Sequence, residues 1–239
     1  MSEENGKEVL FEVTEDHLNT GLRGIPVGTC RTSFVDPKKG VHYCGYPVGD
    51  LAEMDPEDVI FLLYEKRLPN RQESQDFRHE LAQRADRLPT GALRVLESLT
   101  PASGHPMDWL SIGIQALGLA ETTGDVRADG LNLISRMPEL MAAIFRLRGG
   151  RGLPDVASEP ERGMVENFVH LLGMEGVDAN RMTRTLRVFL VLHMDHGGGN
   201  LSTFTGKAVS SGWASLYASI SSAMNALSGP LHGRANQSC

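Results

Sequence analysis

Residues 179–200 read ANRMTRTLRVFLVLHMDHGGGN, and this stretch decides the fold of the chain. It predicts a helix over 179–196, which the glycines at 197–199 end. Three arginines recur at intervals of three and predict its solvated face: Arg181, Arg184 and Arg187. Apolar residues occupy nearly all other sides near its end, so that end is expected to be buried. His193 and His196 then lie on the last buried turn.

A second stretch, GPLHG at 229–233, follows a segment rich in alanine, serine and glycine. The composition predicts a last helix over Thr205–Leu227, because small residues let helices approach closely. Gly229 and Pro230 end it, and His232 follows at once. A helix C-terminus carries partial negative charge and favours a protonated histidine, while glycines let a substrate approach the backbone.

Two alternatives to a reactive pair remain open for these histidines. Each ring could simply hydrogen-bond to the backbone as a structural residue. A metal could also bind His193, His196, His232 and Asp195, but the chain has no HExxH pattern and no cysteine close to them in sequence.

The rest of the chain is mainly α apart from its first fifty residues. Residues 7–13 and 26–35, a DPKKG turn at 36–40 and VHYCGY predict a small antiparallel hairpin. Asp55, Pro56 and Glu57 form a helix start. Further helices are predicted at 72–86, 90–99, 105–121, 131–148 (bent by Pro138), and 161–172.

Composition excludes several classes of function. The net charge is −7 and no run of Lys or Arg occurs, which argues against nucleic acid as a partner. Apolar runs such as Val188–Leu192 are far too short for a membrane span, and the polar, acidic N-terminus is unlike a signal peptide. Three unpaired cysteines, Cys30, Cys44 and Cys239, indicate a reduced, cytoplasmic setting.

Five segments in order resemble the citrate synthase family. They are FVDPKKGVHYCGYPVGDLAE, HPMDWLSIGIQALG, RMPELMAAIFRLRGG, HMDHGGGNLSTFTGKAV and SAMNALSGPLHGRANQ. The resemblance implies the multi-helical large domain of that family, with an N-terminal extension and hairpin at 1–50 and the helical part at 51–239. It also implies that the large domain is incomplete, since the family's small domain and final helix match nothing in the 239 residues.

The resemblance assigns roles to five residues. His232 matches the catalytic histidine that hydrogen-bonds the acetyl-CoA thioester carbonyl, and His196 matches an oxaloacetate-binding histidine. Asn200 is expected to bind substrate, Ser202 to orient the ring of His232, and His193 to support the site as a buried residue. No cofactor and no metal are expected, because acetyl-CoA is a substrate.

The implied activity is the condensation of acetyl-CoA with oxaloacetate to citrate and CoA, the citrate synthase reaction of the tricarboxylic acid cycle. The family's carboxylate base follows GPLHG, so the chain alone is expected to have little activity. A homodimer through helices near 105–120 and 131–148 is also implied. The alternatives are a 2-methylcitrate synthase that uses propionyl-CoA, a non-catalytic dimerising interaction protein, and the metal-binding protein considered above.

Overall fold

The computed structural model describes residue 9 and residues 11–19, 25–26, 28–85, 87–100, 102–197 and 199–234. Within these residues the chain forms ten α-helices, a short 3₁₀ helix at Glu15–Asn19 and one small sheet, so the predicted mainly α class is confirmed. The helices are Val48–Leu51 (α1), Pro56–Glu65 (α2), Arg71–Arg84 (α3), Thr90–Ser98 (α4), Pro106–Glu121 (α5), Val126–Arg148 (α6), Met164–Leu172 (α7), Ala179–Leu192 (α8), Leu201–Ser211 (α9) and Leu216–Leu227 (α10). None of these ten is both long and apolar enough to cross a membrane.

The sheet has three antiparallel strands in chain order, Ser33–Asp36 (β1), Gly40–Tyr43 (β2) and Tyr46–Pro47 (β3). Asp36 closes the first turn, because its Oδ1 accepts hydrogen bonds from the amides of Lys38 and Lys39 at 2.7 and 2.9 Å. Gly40 continues it with a φ of +83°, a conformation that glycine adopts without strain. The hairpin predicted around 36–40 is therefore confirmed.

The strand expected at 7–13 is not found where the structure can be described. Residues 7, 8 and 10 lie outside the described part of the chain, and Val9 and residues 11–13 belong to no strand. The strand expected from residue 26 begins only at Ser33. The β-branched and aromatic residues of this segment favour strands, but strand formation also requires a neighbouring partner.

Side-chain caps fix where several helices begin. Asn70 starts α3 with a reciprocal capping box to Glu73, and His105 starts α5 in the same way with Asp108. Asp125 accepts a hydrogen bond from Ala128 and starts α6 five residues before the predicted Leu131. Pro138 lies inside α6, as the sequence predicted.

The main core lies where α5, α6 and α10 meet. Its fully buried side chains include Ile114, Leu117, Leu140, Ile144 and Tyr217. Gly118 of α5 faces Tyr217 so closely that a Cβ added to the glycine would lie 2.5 Å from the Cβ of Tyr217. The helices pack this tightly because α5 has no side chain at that point.

The predicted last helix over 205–227 is wrong as a single element, because it is two helices. Helix α9 ends at Ser211, and Ser215 caps the start of α10 by accepting a hydrogen bond from Ala218. Between them Trp213 has a φ of 62° and is 95% exposed. The other tryptophan, Trp109, is buried and donates its indole N–H to the carbonyl of Ser103.

Candidate functional site

The segment between α8 and α9 carries three of the predicted site residues, His193, His196 and Asn200. Helix α8 ends at Leu192, so His196 lies in the loop that follows, four residues beyond the end of the helix. Both His193 and His196 are exposed. The expectation of a buried last turn is wrong, because the apolar surface at this end of α8 is only partly covered by the rest of the chain; Phe189 and Leu192 are exposed as well.

His193 is held against its own helix. Its ring stacks on Phe189 with centroids 4.1 Å apart, and its Nδ1 lies 2.7 Å from the carbonyl oxygen of Phe189. By contrast, no hydrogen bond or ion pair links the ring of His196 to another described residue. His196 is therefore available to a ligand, while His193 is already engaged.

Asp195 anchors the loop from within. Its Oδ1 accepts the amide of Gly197 at 3.0 Å, and its Oδ2 accepts the hydroxyl of Thr32. Its own amide donates to the Tyr43 hydroxyl at 3.3 Å, and that hydroxyl donates to the carbonyl of Val191 at 3.0 Å. The N-terminal sheet region thus holds both the end of α8 and the loop that carries His196.

Asn200 begins α9 and organises the next polar contacts. Its Oδ1 accepts hydrogen bonds from the Thr203 amide at 2.9 Å and from the Ser202 hydroxyl at 2.7 Å. Its Nδ2 donates to the carbonyl of Gly197 at 3.3 Å. These contacts fix which amide atom is oxygen and which is nitrogen.

His232 reaches this group from the end of α10. The helix ends at Leu227, and the amide of His232 donates to the carbonyl of Gly229 in the turn that follows. Gly233 packs against the end of the helix, where an added Cβ would lie 2.6 Å from the Leu227 side chain. The turn places Nε2 of the half-buried His232 3.1 Å from Oγ of Ser202.

The direction of these hydrogen bonds determines the tautomer of His232. Ser202 has one proton, and it goes to Asn200. Ser202 can then only accept from His232, so Nε2 carries a proton. A neutral ring in this arrangement leaves Nδ1 as a bare acceptor. Donation from Nδ1 to a ligand requires the doubly protonated ring, or a Ser202 hydroxyl turned towards Nε2.

The structure therefore joins Asn200, Ser202 and His232 directly, and His196 lies exposed on the adjoining loop with no hydrogen-bond partner among the described residues. It adds Thr32, Tyr43 and Asp195, whose positioning contacts the sequence analysis missed. The only sequence signal for Asp195 was its place within the HMDHGGGN motif. Nothing in the sequence pointed to its contacts with Tyr43 and Thr32, which lie 152 and 163 residues away along the chain. Among the described residues, no three His, Cys, Asp or Glu side chains group closely enough to hold a metal.

An apolar groove of about 730 Å³ opens beside this site. Its walls come from α2, α5, α6, α7, α8 and α10, and His193 and Phe189 line it. Leu216, Ile220 and Met224 of α10 contribute to the same walls.

Comparison with known proteins gives a consistent result. Residues 21–239 match the family model described as citrate synthase, C-terminal domain. The chain is 30% identical to mitochondrial citrate synthase 4 of Arabidopsis thaliana, over 99% of this chain and 54% of that protein. It is also 30% identical to peroxisomal citrate synthase of Saccharomyces cerevisiae, over 98% of this chain and 55% of the relative.

Solved structures agree with the sequence relatives. The crystal structure of citrate synthase from Thermotoga maritima superposes with a TM-score of 0.77 at 29% identity, covering 91% of this chain and 57% of that one. The chain thus spans about half the length of the curated relatives it matches.

Proposed function

The chain belongs to the citrate synthase family, and on that basis we propose that residues 193–234 form one side of a site that condenses acetyl-CoA with oxaloacetate. The observation that carries this proposal is the hydrogen-bonded chain from Asn200 through Ser202 to His232. The exposed His196 lies on the loop that leads into Asn200. His232 is the proposed catalytic residue, and His196 and Asn200 are the proposed oxaloacetate-binding residues.

The chemistry of the condensation explains why a fixed histidine is useful here. Removal of a proton from the methyl group of a thioester places negative charge on the carbonyl oxygen. A base must take the proton while a donor stabilises that oxygen. We assign the donor to Nδ1 of His232, a role that requires either the doubly protonated ring or a Ser202 hydroxyl turned from Asn200 towards Nε2. Positioning matters, since a displacement of about 1 Å can cost about a hundredfold in rate.

For oxaloacetate, the relevant feature is an exposed imidazole on a firmly held loop. A protonated His196 would offer a charge-assisted hydrogen bond to a carboxylate, which is stronger than a neutral one. Asp195 and Asn200 hold the loop on either side of it through Gly197. This restraint lowers the entropy that the loop loses when the diacid binds.

We do not assign the carboxylate base to any described residue. The proposal is therefore that the 239-residue chain alone binds oxaloacetate but turns over slowly. It is tested by calorimetric titration with oxaloacetate, and by CoA release from acetyl-CoA measured with a thiol reagent. His196→Asn should weaken oxaloacetate binding at least tenfold, whereas His193→Asn serves as the matched control on the same loop. Equal binding by both variants and the parent chain would refute the assignment.

The same assay distinguishes the alternatives. Faster CoA release from propionyl-CoA than from acetyl-CoA would indicate a 2-methylcitrate synthase. Absence of oxaloacetate binding by a folded chain would favour a non-catalytic interaction protein. Tightly bound metal in dialysed protein would favour the metal-binding interpretation.

We also propose a homodimer through α5 and α6, in the regions near 105–120 and 131–148. Support comes from large apolar side chains that face solvent on these helices, namely Ile112, Leu119 and Phe145. Sedimentation velocity tests this dimer, and Leu119→Glu is expected to shift the protein to monomer.

A cytoplasmic location is a further proposal. The two relatives above are mitochondrial and peroxisomal, so cell fractionation is the test of where this chain is found.

A further inference from the structure

Cys30 and Cys44 face one small cavity beside the sheet. The cavity has a volume of about 270 Å³, and Thr32, His42 and Lys66 also line it. Both sulfurs contact the same residue, Thr32. Sγ of Cys30 is 3.5 Å from Oγ1 of Thr32, and Sγ of Cys44 is 3.6 Å from the carbonyl oxygen of Thr32.

The two thiols differ in reactivity. Cys30 is exposed; partial desolvation opposes its ionisation, but hydrogen bonds from Thr32 and Ser33 outweigh this and lower its pKa to about 7. Desolvation, followed by the charge of Asp195, raises the pKa of Cys44. An accessible thiolate next to a protected thiol is the arrangement in which one sulfur is oxidised and the other displaces the oxygen.

Thr32 connects these sulfurs to the loop that carries His196. Its hydroxyl donates to Asp195, and its oxygen also lies within hydrogen-bond distance of the Cys30 sulfur, so an ionised Cys30 competes with Asp195 for the one hydroxyl proton. Its carbonyl oxygen accepts the amide of Cys44 at 2.8 Å. Thr32 is therefore the residue through which a change at either cysteine can reach Asp195.

We propose that Cys30 and Cys44 form an intramolecular disulfide on exposure to peroxide, and that this bond releases the His196 loop by drawing Thr32 away from Asp195. Cys30 lies in the segment 28–32, which forms neither helix nor strand, whereas Cys44 follows β2 directly. A disulfide requires the two Cα atoms to lie within about 7 Å, and in this proposal the adjustment falls on the Cys30 side.

The chemistry balances with hydrogen peroxide as the oxidant. The Cys30 thiolate attacks one peroxide oxygen, the O–O bond breaks, and the departing hydroxide takes a proton to become water. The sulfenic acid at Cys30 is then attacked by the Cys44 sulfur. The S–S bond forms as the S–O bond breaks, and hydroxide leaves with the thiol proton as a second water. The two sulfurs lose two electrons in total, which the peroxide gains.

The first test is mass spectrometry of the peroxide-treated chain in a Cys239→Ser background, which removes the third cysteine. Trypsin cleaves after Arg31, between the two cysteines, so a disulfide appears as two linked peptides two mass units below their sum. With Cys44→Ser, Cys30 should instead accumulate as a sulfenic acid that dimedone traps. Overoxidised Cys30 without the linked peptide, or disulfides only between chains, would overturn the pairing.

The second test is amide hydrogen exchange at Gly197, followed by NMR. Loss of the Thr32–Asp195 hydrogen bond should speed exchange of this amide about tenfold on oxidation. Thr32→Val should give the same increase in the reduced chain, and Thr29→Val, at a neighbouring exposed position, should not. A disulfide that leaves Gly197 exchange unchanged would overturn the coupling. Neither readout uses oxaloacetate, so the outcome is independent of the proposed function.

Discussion

His232 and Ser202 share a hydrogen bond across 30 residues of chain, with Nε2 of the ring 3.1 Å from Oγ of the serine. Because Ser202 gives its own proton to Asn200, we predict that neutral His232 carries its proton on Nε2. Ser202→Ala should remove this preference and leave a mixture of tautomers, which ¹⁵N shifts of the ring report directly. Ser202→Thr, which keeps a hydroxyl, is the control. Identical ring shifts in the alanine variant and the parent would contradict the prediction.

Gly118→Ala should destabilise the chain although alanine favours helices. The added Cβ would lie 2.5 Å from the Cβ of Tyr217, which is fully buried, so α5 and α10 must move apart. Overpacking of this kind costs about 1–3 kcal/mol, more than the gain of about 1 kcal/mol in helix propensity. Urea unfolding measures the change. Gly91→Ala in α4, where the added Cβ meets nothing within 4 Å, should be neutral or stabilising.

Asp55→Asn should lower the free energy of unfolding by about 1–3 kcal/mol. The carboxylate of Asp55 bridges Arg78 of α3 and Arg187 of α8. Removal of its charge leaves each partly buried guanidinium with one carboxylate instead of two, Asp58 for Arg78 and Glu166 for Arg187. The matched control is Asp155→Asn, which breaks the ion pair between Asp155 and Arg146. The side chain of Asp155 is 82% exposed. That change should cost less than about 0.5 kcal/mol. Equal losses in the two variants would show that the bridge across the helices adds nothing.

Glu57→Gln should change how stability depends on pH. Glu57 is buried, and desolvation raises its pKa despite a hydrogen bond from the Met164 amide to its Oε1 at 2.7 Å. The folded state therefore binds this proton more tightly than the unfolded state. The resulting stability is complete below the unfolded pKa of about 4.3 and is lost as the pH rises through the folded value.

The glutamine variant lacks that titration. Its free energy of unfolding, measured in urea at several pH values from 4.5 to 8, should rise relative to the parent as the pH increases. Glu166→Gln, at a more exposed carboxylate nearby, is the comparison. A constant difference between Glu57→Gln and the parent over this range would contradict the prediction.

Local signals in the sequence were enough for much of this fold. Three such signals act only through neighbouring residues: the DPKKG turn, the proline at the first position of α2 and the glycine that follows α10. The structure has a turn, a helix start and a helix end at these places. The break between α9 and α10 was missed because small residues flank it on both sides without a change in composition. Its signals were Gly212 and the capping serine, Ser215.

The candidate site was only partly predictable for a different reason. The pairing of Ser202 with His232 came from the family resemblance, and the structure brings the two side chains together. The burial expected for His193 and His196 was wrong, because hydrophobicity along α8 does not reveal which side the rest of the chain covers. The bond from Thr32 to Asp195 spans 163 residues, and no local pattern encodes it.

The contrast between the two tryptophans gives this chain a built-in optical probe. Trp109 is shielded inside the core, whereas Trp213 stands in water at the bend between α9 and α10. Iodide should therefore quench only the red-shifted part of the emission spectrum, leaving the blue part from Trp109. Any molecule that settles over the bend would shift and protect the Trp213 signal, so an encounter there can be followed in real time without a label.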